Sequence, residues 1–350
     1  MFNIKSYKTI AKRKNLYLSF PDIIQSRHNK SKFFLVYRSA DNHHPTYSSL
    51  HLLSSENEGN TWKKVNRFDL TMRRNGRVWN CPRFSYFPDG SLNIICDTKD
   101  STSEKEAEFK IYILKTFDEW MNYSIQNTGM RGMVPDRVIK FKNNLYCANH
   151  IVDNQNKTLT QLINHSTDNG KTWYDCNILA RSPQVQPCEA SLVSFFNQYL
   201  IAYIRNNKRS YVINEDGGIE PQKILKYITE DGINWWPCIS PKIYGHRITA
   251  NFYHPKKYPT SEDILLMSYR NTLEKCISVS SMKIDSRGEG ESEIETIKID
   301  DTAGSIYHCG YTGLAKCDSG DYLVAYYLQE DKMKKPFIKL CKFEHKNSSS

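Results

Sequence analysis

Apolar, strand-like segments alternate with short polar turns along the chain at a nearly constant interval. Each repeat contains an apolar segment, a polar turn and a second apolar segment, which is the pattern of a β-hairpin. The turns centre near Asn29, Asp89, Asn143, Gln198, Ser261 and Ser319. Six such units fill the 350 residues, and each has room for four short strands. The pattern predicts an all-β fold, a six-bladed β-propeller with four-stranded antiparallel blades.

A second motif, S-x-D-x-G-x-T-W, recurs within this array. The clearest copy is Ser166–Trp173, and the copy Ser55–Trp62 has Asn57 at the Asp position; a shortened copy is Thr229–Trp235 and a degenerate one is Thr116–Trp120. In such a turn the Asp carboxylate binds backbone N–H groups, Gly adopts positive φ, and Trp packs beneath the turn. The motif therefore predicts hairpin turns within the blades.

Residues 1–350 are expected to form one propeller domain with basic tails at about residues 1–14 and 344–350. The Lys-rich ends carry much of the formal charge of +10, which we interpret as solvated surface. No run of 18 apolar residues predicts a membrane span, and the N-terminal segment lacks the apolar region of a secretory signal. The ten cysteines lie singly, without metal-binding spacing. We expect a cytoplasmic protein with reduced cysteines, no metal, no cofactor and no nucleic-acid partner.

Polar side chains interrupt the apolar segments on both sides of each turn. In a propeller these positions converge on the central channel. The interrupting residues are Asp22 and Arg38, Arg83 and Asp97, Asp136 or Arg137 with His150, Glu189 and Arg205, Arg247 and Arg270, and Tyr311 and Tyr327. Because buried charges are costly unless they are paired or functional, one alternative is that the acid and arginine within each of the first two pairs bind each other. The arginines outnumber the nearby acids, and guanidinium groups bind carboxylates bidentately, so we expect a ligand with a carboxylate.

Glu189 and Tyr311 are the candidates for chemistry, since they are close to each other if six blades close a ring. A carboxylate beside a phenol can accept its proton and convert tyrosine into a usable nucleophile. A neutral phenol also suits a substrate whose anomeric carbon bears a carboxylate, which would repel an anionic nucleophile. The alternative is a structural hydrogen bond between the two side chains.

These residues make the chain resemble the sialidase (exo-α-neuraminidase) superfamily, whose six-bladed propellers carry such turns as Asp boxes. The resemblance runs from about Leu16 to Phe343. Cys188–Val193 followed by Arg205 resembles the segment of the family's catalytic Glu and second triad arginine, Gly310–Leu314 resembles the G-Y-S-x-L segment of its nucleophilic tyrosine, and Val36–Ser39 resembles its blade-one arginine segment. The resemblance implies Tyr311 as nucleophile and Glu189 as its base.

Three positions of the family pattern differ in this chain. The R-I-P segment of blade one is replaced by Ser19-Phe20-Pro21, and the glutamate that orients an arginine is replaced by Tyr327. The family's acid/base aspartate aligns with His43, while Asp41 and His44 are near enough to compete. The third carboxylate-binding arginine is either Arg247 or Arg270, with Lys275 as a further choice.

A histidine in the acid position is chemically sensible. With a reference pKa of about 6.5, an imidazolium can protonate a leaving glycosidic oxygen near neutral pH. His43 and His44 precede the hairpin of the first S-x-D-x-G-x-T-W turn, where loops of a propeller face the channel mouth. An ordinary surface loop is the alternative for both histidines.

The sequence thus predicts an exo-acting glycoside hydrolase that releases a carboxylated sugar, sialic acid or a related ulosonic acid such as Kdo, from an acidic glycan. The predicted catalytic residues are Tyr311, Glu189 and His43; the predicted substrate-binding residues are Arg38, Arg205, Arg247, Arg270, Asp22, His44, Arg83 and Tyr327. One alternative is a non-catalytic, glycan-binding propeller. Another is a scaffold propeller, in which the polar pairs of the channel satisfy each other.

Overall fold

The computed structural model describes residues 1–68, 70–71, 77–100, 109–153, 158–180, 185–208, 221–253, 264–331 and 333–345. Across these ranges the regular structure is β-strand, apart from the single 3₁₀ turn Ile306–His308. The strands form six antiparallel sheets, which we call blades one to six. The chain divides into two compact units, one with residues 1–127 and 302–350 and the other with residues 128–301. Whether they form the single domain expected above stays a prediction.

The first unit contains blades six, one and two, and its boundary after residue 127 falls within the last strand of blade two. Blade six consists of β1 (Phe2–Ala11), β23 (Cys309–Lys316), β24 (Tyr322–Leu328) and β25 (Phe337–His345). Blade one consists of β2 (Tyr17–Gln25), β3 (Phe33–Ala40), β4 (Ser48–Ser55), β5 (Lys63–Lys64) and β6 (Leu70–Thr71). Blade two consists of β7 (Arg77–Tyr86), β8 (Leu92–Asp100), β9 (Lys110–Thr116) and β10 (Ser124–Arg131).

The second unit contains blades three, four and five. Blade three consists of β11 (Ile139–Phe141), β12 (Asn144–Asp153), β13 (Thr158–Ser166) and β14 (Tyr174–Ala180). Blade four consists of β15 (Val185–Phe195), β16 (Tyr199–Lys208), β17 (Leu225–Thr229) and β18 (Trp236–Cys238). Blade five consists of β19 (Gly245–Tyr253), β20 (Ile264–Asn271), β21 (Cys276–Ile284) and β22 (Glu291–Asp300).

The N-terminal segment is not the solvated tail that its lysines suggested. Strand β1 pairs antiparallel with β25, from Phe2 opposite His345 to Ala11 opposite Ile338. Blade six therefore combines strands from both ends of the chain. At the other end, residues 344 and 345 also belong to β25, whereas residues 346–350 lie outside the described ranges. The prediction of a tail at residues 1–14 was wrong because backbone pairing with β25 orders this Lys-rich strand.

Five of the six predicted turns lie within the strand pairs β2–β3, β7–β8, β11–β12, β15–β16 and β23–β24, which we call the first and second strands of each blade. The turn predicted near Ser261 lies outside the described residues. The S-x-D-x-G-x-T-W turns have the expected geometry. In the clearest copy the Gly170 N–H donates to Ser166 Oγ (2.8 Å) and the Thr172 N–H to Asp168 Oδ1 (2.9 Å). In the degenerate copy Trp120 occupies the glycine position, with φ of 74° and a fully buried ring.

The hydrophobic core lies in the seams between neighbouring blades. Phe34 from blade one packs in one cluster with Trp79 and Trp120 from blade two. Within the second unit, Tyr203 from blade four packs in one cluster with Met267 from blade five. Each blade is therefore stabilised mainly by its neighbours, as the burial of sheet faces requires.

A β-bulge interrupts the first strand of blades one, two, four, five and six at an equivalent place, and in blade three the matching residues 133–136 lie before β11, where Met133 forms an isolated bridge with His150. In blade one the pairing of β2 with β3 shifts between Ser19 and Asp22, and the intervening Phe20 has a positive φ. The positive-φ residues of the six blades are Phe20 (54°), Cys81 (40°), Val134 (53°), Glu189 (53°), Arg247 (46°) and Tyr311 (46°). Such a conformation costs about 1 kcal/mol or more for a residue other than glycine. Its repetition indicates that the fold depends on it.

In blades one and three the residue two positions after the positive-φ residue links its blade to the next blade. Asp22 Oδ2 accepts a hydrogen bond from the Phe84 N–H (2.8 Å), and Asp136 Oδ2 accepts one from the Leu192 N–H (3.1 Å). In blade six this position is Gly313, where a Cβ would lie only 2.7 Å from the Cα atom of Asp22. Glycine is required there because the backbones of β23 and β2 approach so closely.

The substitution Gly313→Ala should lower the free energy of unfolding by roughly 1–3 kcal/mol, the usual cost of overpacking. The added methyl group meets backbone atoms of β2, which cannot move aside easily. Urea unfolding followed by tryptophan fluorescence measures the loss. Gly290→Ala is the control, because its nearest atom is the carboxylate end of the exposed Asp285 side chain. Equal losses in both variants would contradict the close approach.

Candidate functional site

The polar residues predicted on the second strand of each blade occupy equivalent positions. Each pairs with the residue that directly precedes the bulge. These pairs are Ser19 with Arg38, Asn80 with Asp97, Met133 with His150, Cys188 with Arg205, His246 with Arg270, and Gly310 with Tyr327. The structure therefore gives all six predicted second-strand residues one common place in the fold, beside the bulge.

The predicted first-strand residues fall into two classes. Glu189, Arg247 and Tyr311 are bulge residues, whereas Asp22 and Arg83 lie two positions further, in the seam between blades. Arg83 Nη1 lies 3.3 Å from Asp22 Oδ1 and donates to the Thr312 carbonyl (2.9 Å). With Asp22 0% and Arg83 3% exposed, these contacts favour a structural role for both. The sequence alternative paired Asp22 with Arg38 and Arg83 with Asp97, whereas the structure pairs Asp22 with Arg83.

Arg38 is the central cation of the first unit. It is 1% exposed, and it donates from Nε to Ser19 Oγ (3.0 Å), from Nη1 to Asn80 Oδ1 (2.8 Å) and from Nη2 to the His43 carbonyl (3.2 Å). Its guanidinium carbon lies 4.3 Å from the centroid of the Phe20 ring. Burial lowers the pKa of Arg38, although the charge of the buried Asp97 is among the effects that oppose the change, and arginine remains charged at neutral pH. These hydrogen-bond partners are all uncharged oxygens.

Tyr311 lies in an aromatic cluster of the same unit. Its ring centroid is 4.7 Å from that of Phe20 and 6.1 Å from that of Tyr327. Tyr327 is fully buried, and Tyr311 is partly exposed. The bulge residues of blades six and one thus contact each other, which brings the predicted nucleophile near Arg38.

Of the three residues that competed for the acid position, His43 makes the contacts with this cluster. Its Nδ1 lies 3.1 Å from the Tyr17 hydroxyl, and its ring is 6.0 Å from that of Phe20. His44 is exposed and contacts the edge of His43. The Asp41 carboxylate instead closes its own loop by accepting hydrogen bonds from Thr46 Oγ1 (2.7 Å) and from backbone N–H groups.

Sequence reasoning missed Phe20, Tyr17 and His308 as members of this cluster. Phe20 is apolar and was noted only as a departure from the family pattern. The Tyr17 hydroxyl lies 2.9 Å from His308 Nδ1, and His308 ends the 3₁₀ turn directly before β23. The position of His308 three residues before Tyr311 is the one signal that could have singled it out.

The second unit brings Glu189 together with the other arginines. Arg205 Nη1 donates to Glu189 Oε2 (2.9 Å), and Arg205 Nε donates to Asn207 Oδ1 (2.9 Å). Arg247 Nη2 donates to the Pro135 carbonyl (2.8 Å). These contacts fix both guanidinium groups. Lys275, the further choice for the third arginine position, is exposed in the turn between β20 and β21.

Two buried histidines accompany these arginines. His150 is 5% exposed and His246 is 1% exposed, and the Nδ1 atom of each has no hydrogen-bond partner within the described part of the chain. Burial lowers the pKa of His150 to about 4, although the charge of Glu189 opposes the change. Burial, together with the charges of Arg205 and Arg270, lowers the pKa of His246 well below its usual value. Both imidazoles are therefore neutral near pH 7.

The first unit thus unites Tyr311, Tyr327, Arg38 and His43, and the second unites Glu189 with Arg205, Arg247 and Arg270. The pairing of Tyr311 with Glu189 stays a prediction. In the described ranges, no three His, Cys, Asp or Glu side chains form a group that could hold a metal ion. Those ranges also contain no helix with the length and apolar character needed to cross a membrane.

No protein-family model and no curated protein matches the chain. Solved structures do match it. A protein of unknown function from Dyadobacter fermentans is 17% identical, with a TM-score of 0.75 and 99% of both chains covered. The NanB sialidase from Streptococcus pneumoniae is 10% identical with a TM-score of 0.68, and 97% of this chain and 70% of that chain are covered. The Trypanosoma rangeli sialidase in complex with the inhibitor DANA is 10% identical with a TM-score of 0.61, covering 97% of this chain and 60% of that chain.

Likeness at these identities shows the fold. The fold class predicted from the sequence, a six-bladed β-propeller with antiparallel blades, is confirmed, and so is the resemblance of this fold to sialidases. The match with a protein of unknown function covers 99% of both chains, and a shared fold alone assigns no activity.

The neutral state of His150 predicts a pH dependence of stability. The unfolded chain binds a proton near pH 6.5 that the folded protein binds only near pH 4, so stability is lost as the pH falls through this window. Between about pH 7 and pH 5 the variant His150→Gln should lose roughly 2 kcal/mol less unfolding free energy than the wild type. Urea unfolding at both pH values measures the difference. His44→Gln, at an exposed position, should follow the wild type; a His150→Gln variant that also follows it would contradict the assignment.

Proposed function

We propose that the protein is an exo-acting glycoside hydrolase that releases a carboxylated sugar, sialic acid or a related ulosonic acid such as Kdo, from an acidic glycan. The observation that carries the proposal is Arg38. This guanidinium is buried, and within the described residues its hydrogen-bond partners are neutral hydroxyl, amide and carbonyl oxygens. The nearest acid, the buried Asp97, acts on Arg38 through space and accepts a hydrogen bond from Asn80 (3.1 Å), so within the described residues no carboxylate contacts the guanidinium directly. A buried cation that lacks a direct ion pair favours an anionic ligand.

The arginines of the second unit extend the proposed recognition. Arg205 and Arg247 are held in fixed orientations by hydrogen bonds, and a guanidinium held in this way can bind a carboxylate with little loss of side-chain freedom. Arg270 shares the position of Arg38 and Arg205 beside the bulge. We assign these arginines to the carboxylate and to the sugar oxygens around it. The contacts of Asp22 and Arg83 favour a structural role, and His44 and Tyr327 are kept as substrate-binding predictions.

The chemical roles follow the bulge. Tyr311 and Glu189 occupy equivalent bulge positions of two blades, and the proposed roles rest on the chemistry of a phenol and a carboxylate. In the proposed first step Tyr311 Oη attacks the anomeric carbon and its proton passes to Glu189, while the bond to the leaving oxygen breaks and His43 protonates that oxygen. In the second step water, deprotonated by the neutral His43, displaces the Tyr311 oxygen, and Tyr311 recovers its proton from Glu189. Two displacements would retain the configuration at the anomeric carbon.

One observation favours the alternative of a non-catalytic, glycan-binding propeller. Glu189 is already paired with Arg205 at 2.9 Å, and an adjacent cation stabilises a carboxylate and weakens it as a base. In that case the arginines would bind the acidic sugar and Tyr311 would contribute only packing. The two functions differ in turnover and share the dependence on Arg38.

The variant Arg38→Met should bind the acidic sugar at least about ten-fold more weakly, since a charge-assisted contact contributes roughly 1.5–3 kcal/mol. Its melting temperature should fall, because Ser19 Oγ, Asn80 Oδ1 and the His43 carbonyl lose a donor, so the affinity is measured well below that temperature. Calorimetry with sialic acid and with Kdo measures the affinity. Arg67→Met, at an exposed position, is the control. Unchanged affinity in Arg38→Met would place the carboxylate elsewhere.

The variant Tyr311→Phe should lose turnover while keeping its fold, because it lacks only the attacking oxygen. A fluorinated ulosonic-acid inhibitor should label Tyr311 covalently in the wild type, as peptide mass spectrometry can show. Tyr307→Phe, at an exposed position four residues earlier, should remain active. Wild-type turnover in Tyr311→Phe would exclude the nucleophile role. Arg38-dependent binding without any turnover by the wild type would instead support the glycan-binding propeller.

A further inference from the structure

A tyrosine hydroxyl lies between two imidazoles in the first unit. Tyr17, the first residue of β2, is buried, and its hydroxyl oxygen lies 3.1 Å from His43 Nδ1 and 2.9 Å from His308 Nδ1. The three rings contact one another edge-on, with centroids 5.6–5.7 Å apart. The cluster joins the loop of the proposed acid His43 to the 3₁₀ turn that leads into the strand of Tyr311.

The single hydrogen of the Tyr17 hydroxyl couples the tautomers of His43 and His308. The Tyr17 hydroxyl has one hydrogen and can donate it to only one Nδ1 atom. When the hydroxyl donates to the Nδ1 atom of one histidine, the second histidine must donate its own Nδ1–H to the Tyr17 oxygen for both hydrogen bonds to form. One histidine therefore carries hydrogen on Nδ1 while the other has a bare Nδ1, and the tautomer of His43 depends on that of His308.

The charges around the cluster favour at most one additional proton. Arg38 contributes a fixed positive charge, since it donates to the His43 carbonyl and its guanidinium carbon lies 5.7 Å from the centroid of the Tyr17 ring. A second imidazolium beside this cation and the first imidazolium would be disfavoured by repulsion. The other titratable groups near it are Tyr327 from β24, Tyr311 from β23, Asp41 and His44 in the loop of His43, and Lys335, which donates to the Asp41 carbonyl.

We propose that His308 and Tyr17 are positioning residues that load His43 with its proton through the shared hydroxyl, an inference that rests on the proposed hydrolase function. The additional proton begins on His308. His308 gives its Nδ1 hydrogen to the Tyr17 oxygen while the Tyr17 hydrogen moves to His43 Nδ1, so that His43 becomes the imidazolium and His308 becomes neutral. No proton is gained or lost in this transfer.

The loaded His43 is prepared for both steps of the reaction. It gives its Nε2 hydrogen to the leaving oxygen and remains neutral with hydrogen on Nδ1, held by the Tyr17 oxygen. Its bare Nε2 then accepts a proton from the attacking water, which restores the imidazolium. The same link can return that proton to His308. One histidine thus serves as acid and then as base.

A first test uses the hydroxyl alone and needs no substrate. In the wild type, ¹⁵N NMR of the imidazoles across about pH 4–9 should show His43 and His308 titrating in two coupled steps separated by more than about one pH unit. In Tyr17→Phe, which keeps the ring, the two steps should move together and the preference for Nδ1–H should be lost. Identical titrations of His43 and His308 in both proteins would overturn the proposal.

A second test separates proton delivery from general structural damage. Tyr17→Phe and His308→Gln should each lower kcat/KM for a glycan substrate by about 100-fold, the lower range for general acid catalysis, and should shift its pH profile. The 4-nitrophenyl glycoside of the same acidic sugar should be affected little, because its leaving group needs no proton. Equal losses on both substrates would overturn the relay. If the wild type hydrolyses neither substrate, the proposed function fails, and the NMR titration alone decides whether the histidines are linked.

Discussion

The architecture depends on a strained residue in, or in blade three shortly before, the first strand of every blade. At each bulge one residue other than glycine takes a positive φ between 40° and 54°, and the extra residue shifts the strand's alternation. The residue two positions later then reaches the neighbouring blade, where Asp22, Asp136 and Ser191 each accept a hydrogen bond from a backbone N–H group. A local cost of about 1–3 kcal/mol per residue is thus offset by contacts between blades. Tyr311, Glu189 and Arg247 are the bulge residues of blades six, four and five.

The two units stabilise their arginines in different ways. Arg205 forms an ion pair with Glu189. The hydrogen-bond partners of Arg38 are neutral oxygens, and its guanidinium group lies over the Phe20 ring. Among the described residues the second arrangement has no direct ion pair, since hydroxyl and amide dipoles contact the cation while Asp97, whose charge also acts on Arg38, is hydrogen-bonded to Asn80. An anionic ligand would complete it. This difference is why Arg38, rather than the larger group of arginines, supports the proposal of a carboxylated substrate.

The repeat and the second-strand residues were predictable because polar side chains stand out within apolar segments at a regular interval. The first-strand residues were only partly predictable, since a bulge adds one residue and shifts the alternation on which the reasoning relied. The alternation therefore predicts Asp22 and Arg83 as channel residues and gives no signal for the apolar Phe20. Strand β1 was missed because its partner β25 lies at the far end of the chain. Tyr17 and His308 belong to no motif, and only the folded structure brings them together.

The neutral histidines complete the chemical character of the second unit. If His150 and His246 were protonated, they would add two positive charges beside Arg205, Arg247 and Arg270, and the folded state would become less stable. Burial keeps them uncharged, and a neutral imidazole nitrogen can donate or accept a hydrogen bond according to its tautomer. Sugar hydroxyls also donate and accept. Fixed cations together with neutral imidazoles therefore match a ligand that combines one carboxylate with several hydroxyl groups, which is the composition of the acidic sugars proposed as substrates.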